Sequence, residues 1–255
     1  MKYILGSVRV ITLAVYTIIQ ISFLIIDGWI NGASVRVKFK HRRIWARNAL
    51  KILGIKIDVV VGEVPSQSGL VISNHRTLLD PVIQFAYIDA FVIAKAEVAN
   101  LPIISQGAKL TGIIFVKREK LKSRYAARQK TEELLKEGHN VLVYAEGTTV
   151  TTQTTGEFKV GTFGIAANNN IPVIPMAIEY PKEKDYWLAE TMTKQIYGQI
   201  GAWSTHVKLY IGSPIKNNNT NELLAAVQKE IDHNLLEMQA GWSEMFADGK
   251  ANTDS

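Results

Sequence analysis

The chain has 255 residues, no cysteine and a formal net charge of +6. This length predicts one domain of ordinary size with an appendage, and the lack of cysteine excludes a disulfide framework and a thiol nucleophile. The charge is uneven: residues 1–51 contain nine Lys or Arg and one acidic residue, whereas the remainder has 20 basic and 22 acidic residues. Because the positive excess lies at one end, beside an apolar segment, it indicates a membrane partner and argues against nucleic acid.

Residues 10–26 form an uncharged, largely apolar run. At about 1.5 Å per residue this run covers about 26 Å, which is marginal for the ~30 Å hydrocarbon core of a bilayer. Turn residues follow, and then a basic stretch over residues 36–51 with interleaved apolar side chains and a tryptophan, a pattern suited to an anionic lipid surface. We predict a membrane-associated helical hairpin over residues 1–53. A signal peptide and a single transmembrane anchor remain alternatives, although the dense positive charge after the run opposes export.

Residues 54–246 alternate short apolar runs with amphipathic stretches, which predicts an α/β domain. The predicted strands are Ile57–Val61, Leu70–Ser73, Ala90–Ala94, Gly112–Val116, Val141–Tyr144, Pro172–Ile178 and His206–Ile211. The predicted helices are Pro81–Ile88, Pro102–Leu110, Ser123–Glu137, Thr162–Asn169 and Asn221–Gln239. Such a pattern indicates a mixed, largely parallel sheet covered by helices, with ligands at the carboxyl ends of the strands. The two prolines of residues 172–178 predict a strand at an edge or rim of the sheet, and residues 247–255 are predicted to be a flexible tail.

A histidine and an aspartate lie five positions apart in Asn74-His75-Arg76-Thr77-Leu78-Leu79-Asp80, directly after a predicted strand. On one helix their side chains would point about 140° apart. They meet only if the chain bends, and a strand end followed by Pro81 at a first helical position supplies that bend. A histidine oriented by a carboxylate is the minimal unit of general-base catalysis. These residues also allow a second interpretation, in which Asp80 is only a helix N-cap and His75 a polar loop residue.

Two more strand ends carry side chains suited to chemistry. Lys117 and Arg118 follow one strand, and a guanidinium in that place suits bidentate binding of phosphate. Glu146, Gly147 and Thr148 follow another. The glycine allows close approach of a ligand, and its N–H could stabilise an oxyanion. The alternative for Glu146 is a structural acceptor that ties loops together.

Taken in order, these blocks resemble the glycerophospholipid acyltransferase family, which includes the lysophosphatidate acyltransferases. The family pattern Asn-His-x4-Asp matches Asn74 to Asp80, and Gly-x-x-Phe-x-x-Arg matches Gly112 to Arg118. The apolar, proline-containing block matches at Val173 and Pro175. The block Pro-Glu-Gly-Thr-Arg matches only at its centre, since Ala145 and Thr149 stand where Pro and Arg are usual. The family's downstream Lys-x-Gly element falls on Lys159 and Gly161.

The resemblance implies a membrane-bound O-acyltransferase that moves a fatty acyl group from acyl-CoA or acyl carrier protein to the free hydroxyl of a lysophospholipid. His75 would be the general base, and Asp80 would orient its ring. Gly147 and neighbouring N–H groups would stabilise the oxyanion, and Arg118 would hold the acceptor phosphate. The substrate-binding residues that the resemblance implies are Lys117, Arg118, Glu146, Gly147, Thr148 and Lys159. No metal or redox cofactor is implied, because the histidines are scattered and no acidic cluster accompanies them.

The expected acceptor is 1-acyl-sn-glycerol-3-phosphate, which would give phosphatidate. Because Thr149 replaces a cation, a lysophosphatidylcholine-type diester or another lysolipid is the alternative acceptor. A lipid-directed thioesterase or hydrolase with water as acceptor, and a non-catalytic membrane-binding domain, are the rival functions. The expected location is a membrane surface, with the active site facing the cytoplasm (the inner membrane if the source is bacterial).

Overall fold

The computed structural model describes residues 1–96, 112–117 and 119–246. The helices are α1 (Lys2–Asn31), α2 (Val35–Leu53), α3 (Asp80–Phe85), α4 (Leu121–Lys136), α5 (Gly161–Asn168), α6 (Met192–Ile200) and α7 (Thr220–Gln239). The strands are β1 (Ile55–Val61), β2 (Leu70–Ser73), β3 (Ala90–Lys95), β4 (Ile113–Val116), β5 (Asn140–Tyr144), β6 (Val173–Glu179) and β7 (Thr205–Ile211). All seven predicted strands are therefore present. The helix predicted over residues 102–110 and the tail over residues 247–255 lie outside the described residues.

The seven described strands form one sheet in the order β1-β7-β6-β2-β5-β3-β4. Among them, β6 and β7 pair antiparallel, and every other neighbouring pair is parallel. The prediction of a mixed, largely parallel sheet is thus confirmed. The carboxyl ends of β2, β3, β4, β5 and β6 lie on the same side of the sheet, at the ends of the strands. We call this side the carboxyl edge.

Helices cover both faces of the sheet, which explains why the inner strands are apolar on both sides. Every residue of β2 and of β6 is buried. One core cluster joins the sheet to side chains of α2, α3 and α6, and the other joins it to side chains of α4, α5 and α7. With both faces buried, these strands read as continuous apolar runs.

The predicted edge or rim position of the proline-containing strand is wrong. β6 is an inner strand between β7 and β2. Pro175 lies at an irregular point of the antiparallel pairing: its carbonyl accepts the Gly212 N–H at 2.8 Å, and Val173 pairs with Ile215, so the register shifts by one residue between the two pairs. A bulge of this kind is one of the few places where a proline is tolerated inside a sheet.

The N-terminal segment forms two packed helices, as the hairpin prediction requires. Ser34 caps α2 by accepting the Val37 N–H at 3.3 Å, and Gly54, with φ of 72°, ends it. α1 is long and apolar enough to cross a membrane, and 17% of its most apolar 18-residue window is buried. The side chain of His41 in α2 bonds both Gln20 and Asp27 of α1, at 2.9 and 2.7 Å. The polar side chains of Gln20 and Asp27 in α1 therefore have a hydrogen-bond partner in α2.

Candidate active site

The structure brings His75 and Asp80 together at the carboxyl edge. Nδ1 of His75 lies 2.7 Å from Oδ2 of Asp80, and the aspartate is fully buried. Among the described residues, Nε2 of His75 has no hydrogen-bond partner, and 17% of the side chain is exposed. A carboxylate on Nδ1 fixes the tautomer with a proton on that nitrogen, which leaves Nε2 free to accept one.

The bend between the two residues is folded around the Asp80 carboxylate. Oδ2 of Asp80 accepts the backbone N–H of Arg76 at 2.7 Å and of Thr77 at 2.9 Å. Asp80 is the first residue of α3, and Pro81 follows it. The interpretation of Asp80 as only a helix N-cap is therefore wrong: Leu79 holds the N-cap position, and the Asp80 carboxylate bonds His75 and two N–H groups that precede the helix.

Two buried tyrosines complete the surroundings of the dyad. The hydroxyl of Tyr180 donates to Oδ1 of Asp80 at 2.7 Å, and burial, together with the charge of Asp80, raises the pKa of Tyr180 well above its usual value. The ring of Tyr144 stacks on His75 with centroids 4.1 Å apart. Its hydroxyl donates to Gln84 Oε1 at 2.6 Å. Both carboxylate oxygens of Asp80 and one face of His75 are thus held in place.

The turn after β5 lies against the same histidine. The Glu146 carboxylate accepts the backbone N–H of His75 at 2.8 Å and of Gly156 at 3.1 Å. Burial raises the pKa of Glu146 to about 7, against these two hydrogen bonds, which lower it. Gly147 has φ of 75°, and a Cβ atom there would lie 2.5 Å from Nζ of Lys159. Glu146, Gly147 and Lys159 are therefore neighbours, and the positive φ of Gly147 favours glycine at this position.

No hydrogen bond joins the other described binding residues, Thr148 and Lys117, to His75 or Asp80. Thr148 is exposed directly after Gly147, and the side chain of Lys117 is exposed at the end of β4. Three strand spacings separate β4 from β2, about 14 Å at ~4.8 Å each. Arg118 lies outside the described residues.

Sequence reasoning missed several residues that hold the site. From the sequence, Tyr144 is assigned only to an apolar strand, and no role is assigned to Arg76 or to Tyr180, which lies beyond the strand predicted over Pro172–Ile178. Neither tyrosine carries a spacing signal, because each meets the dyad through a contact distant in sequence. For Arg76 the only signal was its position next to His75.

The described residues contain no group of three or more His, Asp or Glu side chains that could hold a metal ion.

The fold and the dyad define an α/β domain with a histidine–aspartate pair at the carboxyl edge of its sheet. Residues 57–179, just under half of the chain, match the sequence model described as Acyltransferase. The resemblance found from the four sequence blocks is confirmed.

Proteins with named activities are similar in sequence to about half of this chain or to nearly all of it. The probable 1-acyl-sn-glycerol-3-phosphate acyltransferase of Mycoplasma pneumoniae is 32% identical over 140 residues, 51% of this chain and 51% of that protein. The 1-acyl-sn-glycerol-3-phosphate acyltransferase of Borreliella burgdorferi is 30% identical over 56% of this chain and 59% of that protein. The chain thus spans about half the length of these curated relatives. The lyso-ornithine lipid O-acyltransferase of Pseudomonas aeruginosa is 24% identical over 91% of this chain and 92% of that protein.

Among solved structures, the crystal structure of the 1-acyl-sn-glycerophosphate (LPA) acyltransferase PlsC from Thermotoga maritima is similar to this chain. The TM-score is 0.76 with 20% sequence identity, over 96% of this chain and 100% of that one. At this identity the likeness confirms the fold.

Proposed function

We propose that this protein is a membrane-bound O-acyltransferase that moves a fatty acyl group from a thioester donor to the hydroxyl of a lysophospholipid, 1-acyl-sn-glycerol-3-phosphate above all. The observation that carries the proposal is the His75–Asp80 dyad, with one ring nitrogen held at 2.7 Å by a buried carboxylate and the other without a partner among the described residues. The similarity to two 1-acyl-sn-glycerol-3-phosphate acyltransferases, one of them described as probable, supports this acceptor.

In the proposed reaction, Nε2 of His75 takes the proton of the acceptor hydroxyl as its oxygen attacks the thioester carbonyl. Asp80 stabilises the imidazolium that forms. Collapse of the tetrahedral intermediate breaks the carbon–sulfur bond, and the thiolate takes the proton from the imidazolium. The products are an ester and a free thiol, and the enzyme returns to its starting state without a covalent intermediate.

The oxyanion requires N–H donors near Gly147. The N–H of Gly147 itself donates to the Tyr144 carbonyl at 3.0 Å, which argues against the role predicted for it. Across the described chain, the N–H groups of Thr148 and Thr149 donate no hydrogen bond. We therefore assign the oxyanion to these next two N–H groups, with the Lys159 ammonium close to Gly147. The role of Gly147 is to form the turn that positions the N–H groups of Thr148 and Thr149.

The membrane is proposed to contact the outer face of α1. One side of this helix is tied to the domain, where Arg9 donates to the carbonyls of Ile200 at 2.7 Å and Trp203 at 2.9 Å. Further along, α2 holds the same helix through His41. A helix fixed to one domain along its length lies on a bilayer with its apolar face inward and does not cross it. The lysolipid would then reach His75 from the bilayer, on the cytoplasmic side.

A second acceptor is favoured by one observation. In sequence, the similarity to a lyso-ornithine lipid O-acyltransferase extends over more than nine-tenths of both chains, while the two curated 1-acyl-sn-glycerol-3-phosphate acyltransferases described above match over about half of this chain. Thr149 removes the arginine that would meet a phosphomonoester, which carries nearly two negative charges. A lysolipid with an amino-acid head group is thus the second candidate.

Purified protein in detergent, given acyl-CoA or acyl carrier protein and separate lysolipids, tests the proposal by mass spectrometry of the lipid products. Lysophosphatidate, lysophosphatidylcholine and lyso-ornithine lipid form the panel, and His75→Ala protein is the control. Phosphatidate as the main product supports the primary proposal. Acylation of only the lyso-ornithine lipid or the diester moves the assignment to that acceptor. Thiol release that does not depend on lysolipid identifies a thioesterase, and binding without any turnover identifies a non-catalytic domain.

A further inference from the structure

Residues 148–157, which we call the threonine loop, have no helix or strand and yet lie directly against the catalytic histidine. The N–H of Val150 donates to the carbonyl of His75 at 2.8 Å. The loop begins with the two N–H groups assigned to the oxyanion and ends next to Lys159. An irregular segment of ten residues holds one geometry only if other groups fix it.

Arg76, the residue after His75, supplies much of that fixation. Its side chain is fully buried. Nη1 donates to the carbonyls of Val150 and Thr152 at 2.9 and 2.7 Å, and Nη2 donates to that of Gln153 at 3.3 Å. A guanidinium is suited to this task because it presents several donors in a fixed plane.

Glu179 at the end of β6 holds the guanidinium from the other side. Its Oε2 lies 2.9 Å from Nη2 of Arg76, and both side chains are fully buried. The same Oε2 accepts Nε2 of Gln239 at 2.6 Å, and that nitrogen also donates to the Gln153 carbonyl at 2.7 Å. One buried network thus joins the bend after β2, which contains His75 and Arg76, to β6, to the threonine loop and to the last turn of α7.

Two more side chains of α7 hold the far end of the loop. Oδ1 of Asp232 accepts both the N–H and the hydroxyl of Thr155, each at 2.7 Å. Nε2 of Gln228 donates to the Thr155 hydroxyl and to the Gly156 carbonyl, each at 3.1 Å. Gln228, Asp232 and Gln239 recur at i, i+4 and i+11, which places them on one face of the helix.

We propose that Arg76, Gln228, Asp232 and Gln239 are positioning residues that hold the threonine loop in register with His75, so that α7 determines how the acceptor is seated. The inference rests on the proposed acyl transfer, because it assigns the loop to the acceptor and the oxyanion. None of these side chains touches the reacting atoms; each acts through the loop backbone.

Asp232 gives the sharpest test, because it can be replaced by two residues of similar size. Asp232→Asn keeps an acceptor for Thr155, and Asp232→Leu removes it. We expect Asp232→Leu, and likewise Gln239→Met, to lower kcat/KM for the lysolipid by about 10-fold or more, since a misplacement of 1 Å can cost about 10²-fold. The donor KM should stay within about twofold, and Asp232→Asn should retain most of the activity.

Amide hydrogen exchange of residues 148–157 provides a readout that does not depend on turnover. Exchange should accelerate in Asp232→Leu and Gln239→Met, and stay at the wild-type rate in Asn234→Met, whose side chain bonds the Glu230 carbonyl and Tyr210 and no residue of the threonine loop. Unchanged exchange in the first two variants would overturn the proposal. So would faster exchange with an unaltered acceptor KM and kcat, or an equal loss in Asn234→Met. If wild-type protein transfers no acyl group, the proposed function fails, and the exchange rates alone decide whether α7 holds the loop.

Discussion

Nδ1 of His75 bonds Asp80, and Nε2 has no partner among the described residues, so loss of the ring should remove general-base catalysis and little else. We expect His75→Ala to lower kcat by at least ~10²-fold, the lower end of the range for loss of a general base. Asp80→Asn should also impair turnover, because an amide nitrogen facing Nδ1 favours the wrong tautomer. Turnover assays with circular dichroism as a folding control measure this. More than a tenth of wild-type activity in His75→Ala would contradict the assignment.

Glu146 predicts a pH dependence of stability. Burial raises its pKa to about 7 from an unfolded value of 4.5, so the native protein binds this proton more tightly than the unfolded chain. The free energy of unfolding should therefore fall as the pH rises from about 4.5 to 7, once all other groups are subtracted. Glu146→Gln lacks this contribution and serves as the reference. Urea unfolding of both proteins between pH 4.5 and 8 measures the difference, and parallel pH profiles would refute the prediction.

Thr149 predicts a change in acceptor preference. Thr149→Arg adds a guanidinium at one of the proposed oxyanion donors, two residues after Gly147, and a second cation favours a phosphomonoester over a singly charged diester. We expect the ratio of kcat/KM for lysophosphatidate to that for lysophosphatidylcholine to rise about tenfold, a difference of about 1.4 kcal/mol. Thr149→Gln, which adds length without charge, is the matched control. An equal rise in both variants would point to size and not charge.

The sequence alone predicts the His75–Asp80 dyad but not the side chains that hold it in place. His75 and Asp80 share a short segment whose bend can be inferred from Pro81. Tyr180 meets Asp80 from 100 positions away, and Tyr144 meets His75 from 69 positions away. Such contacts depend on the strand order, which a single sequence does not specify. The roles of Arg118 and Lys117 as phosphate ligands stay predictions.

At the level of the elements, Asn74 joins the end of β2 to β6. Its Oδ1 accepts the Ile178 N–H at 2.8 Å, and its Nδ2 donates to the Ile178 carbonyl at 2.9 Å. Asn74→Ala leaves both buried groups of Ile178 without partners, at about 1–3 kcal/mol for each unsatisfied group. We expect a loss of roughly 2 kcal/mol in urea unfolding. Asn218→Ala changes an exposed asparagine and is the control, which should lose little; an equal loss in both variants would contradict this account.

The strands were predictable because buried parallel strands read as apolar runs, whereas α6 was missed. Its sequence from Met192 to Ile200 contains threonine, glycine and isoleucine, which are weak helix formers. Tertiary contacts stabilise it: Thr191 caps it by accepting the Lys194 N–H at 3.3 Å, and buried Gln199 donates to the Asp185 carbonyl at 2.6 Å. Local propensity cannot reveal a helix that depends on such contacts.

In the whole molecule, the N-terminal pair of helices is not a detachable anchor. Leu50 and Leu53 of α2 belong to a core cluster of the sheet domain. Arg42 donates to the Ala90 carbonyl at 2.6 Å, and burial lowers its pKa to about 9. Removal of residues 1–53 would therefore expose core surface and leave backbone acceptors unpaired. A test of membrane binding must alter the outer face of α1 and leave α2 intact.

Ile11 and Ile18 lie seven residues apart on the outer face of α1 and are 64% and 58% exposed. If this face enters the bilayer, the double substitution Ile11→Gln and Ile18→Gln should weaken binding to anionic vesicles roughly 10²-fold, since burial of each isoleucine is worth about 1.5 kcal/mol. Val64→Gln with Leu121→Gln changes two exposed apolar residues away from α1 and is the matched control. High salt should weaken wild-type binding only in part, because ions screen the basic residues of α2 but not the apolar contact. Vesicle sedimentation measures all three proteins, and equal sedimentation of the two double variants would show that this face of α1 does not meet the lipid.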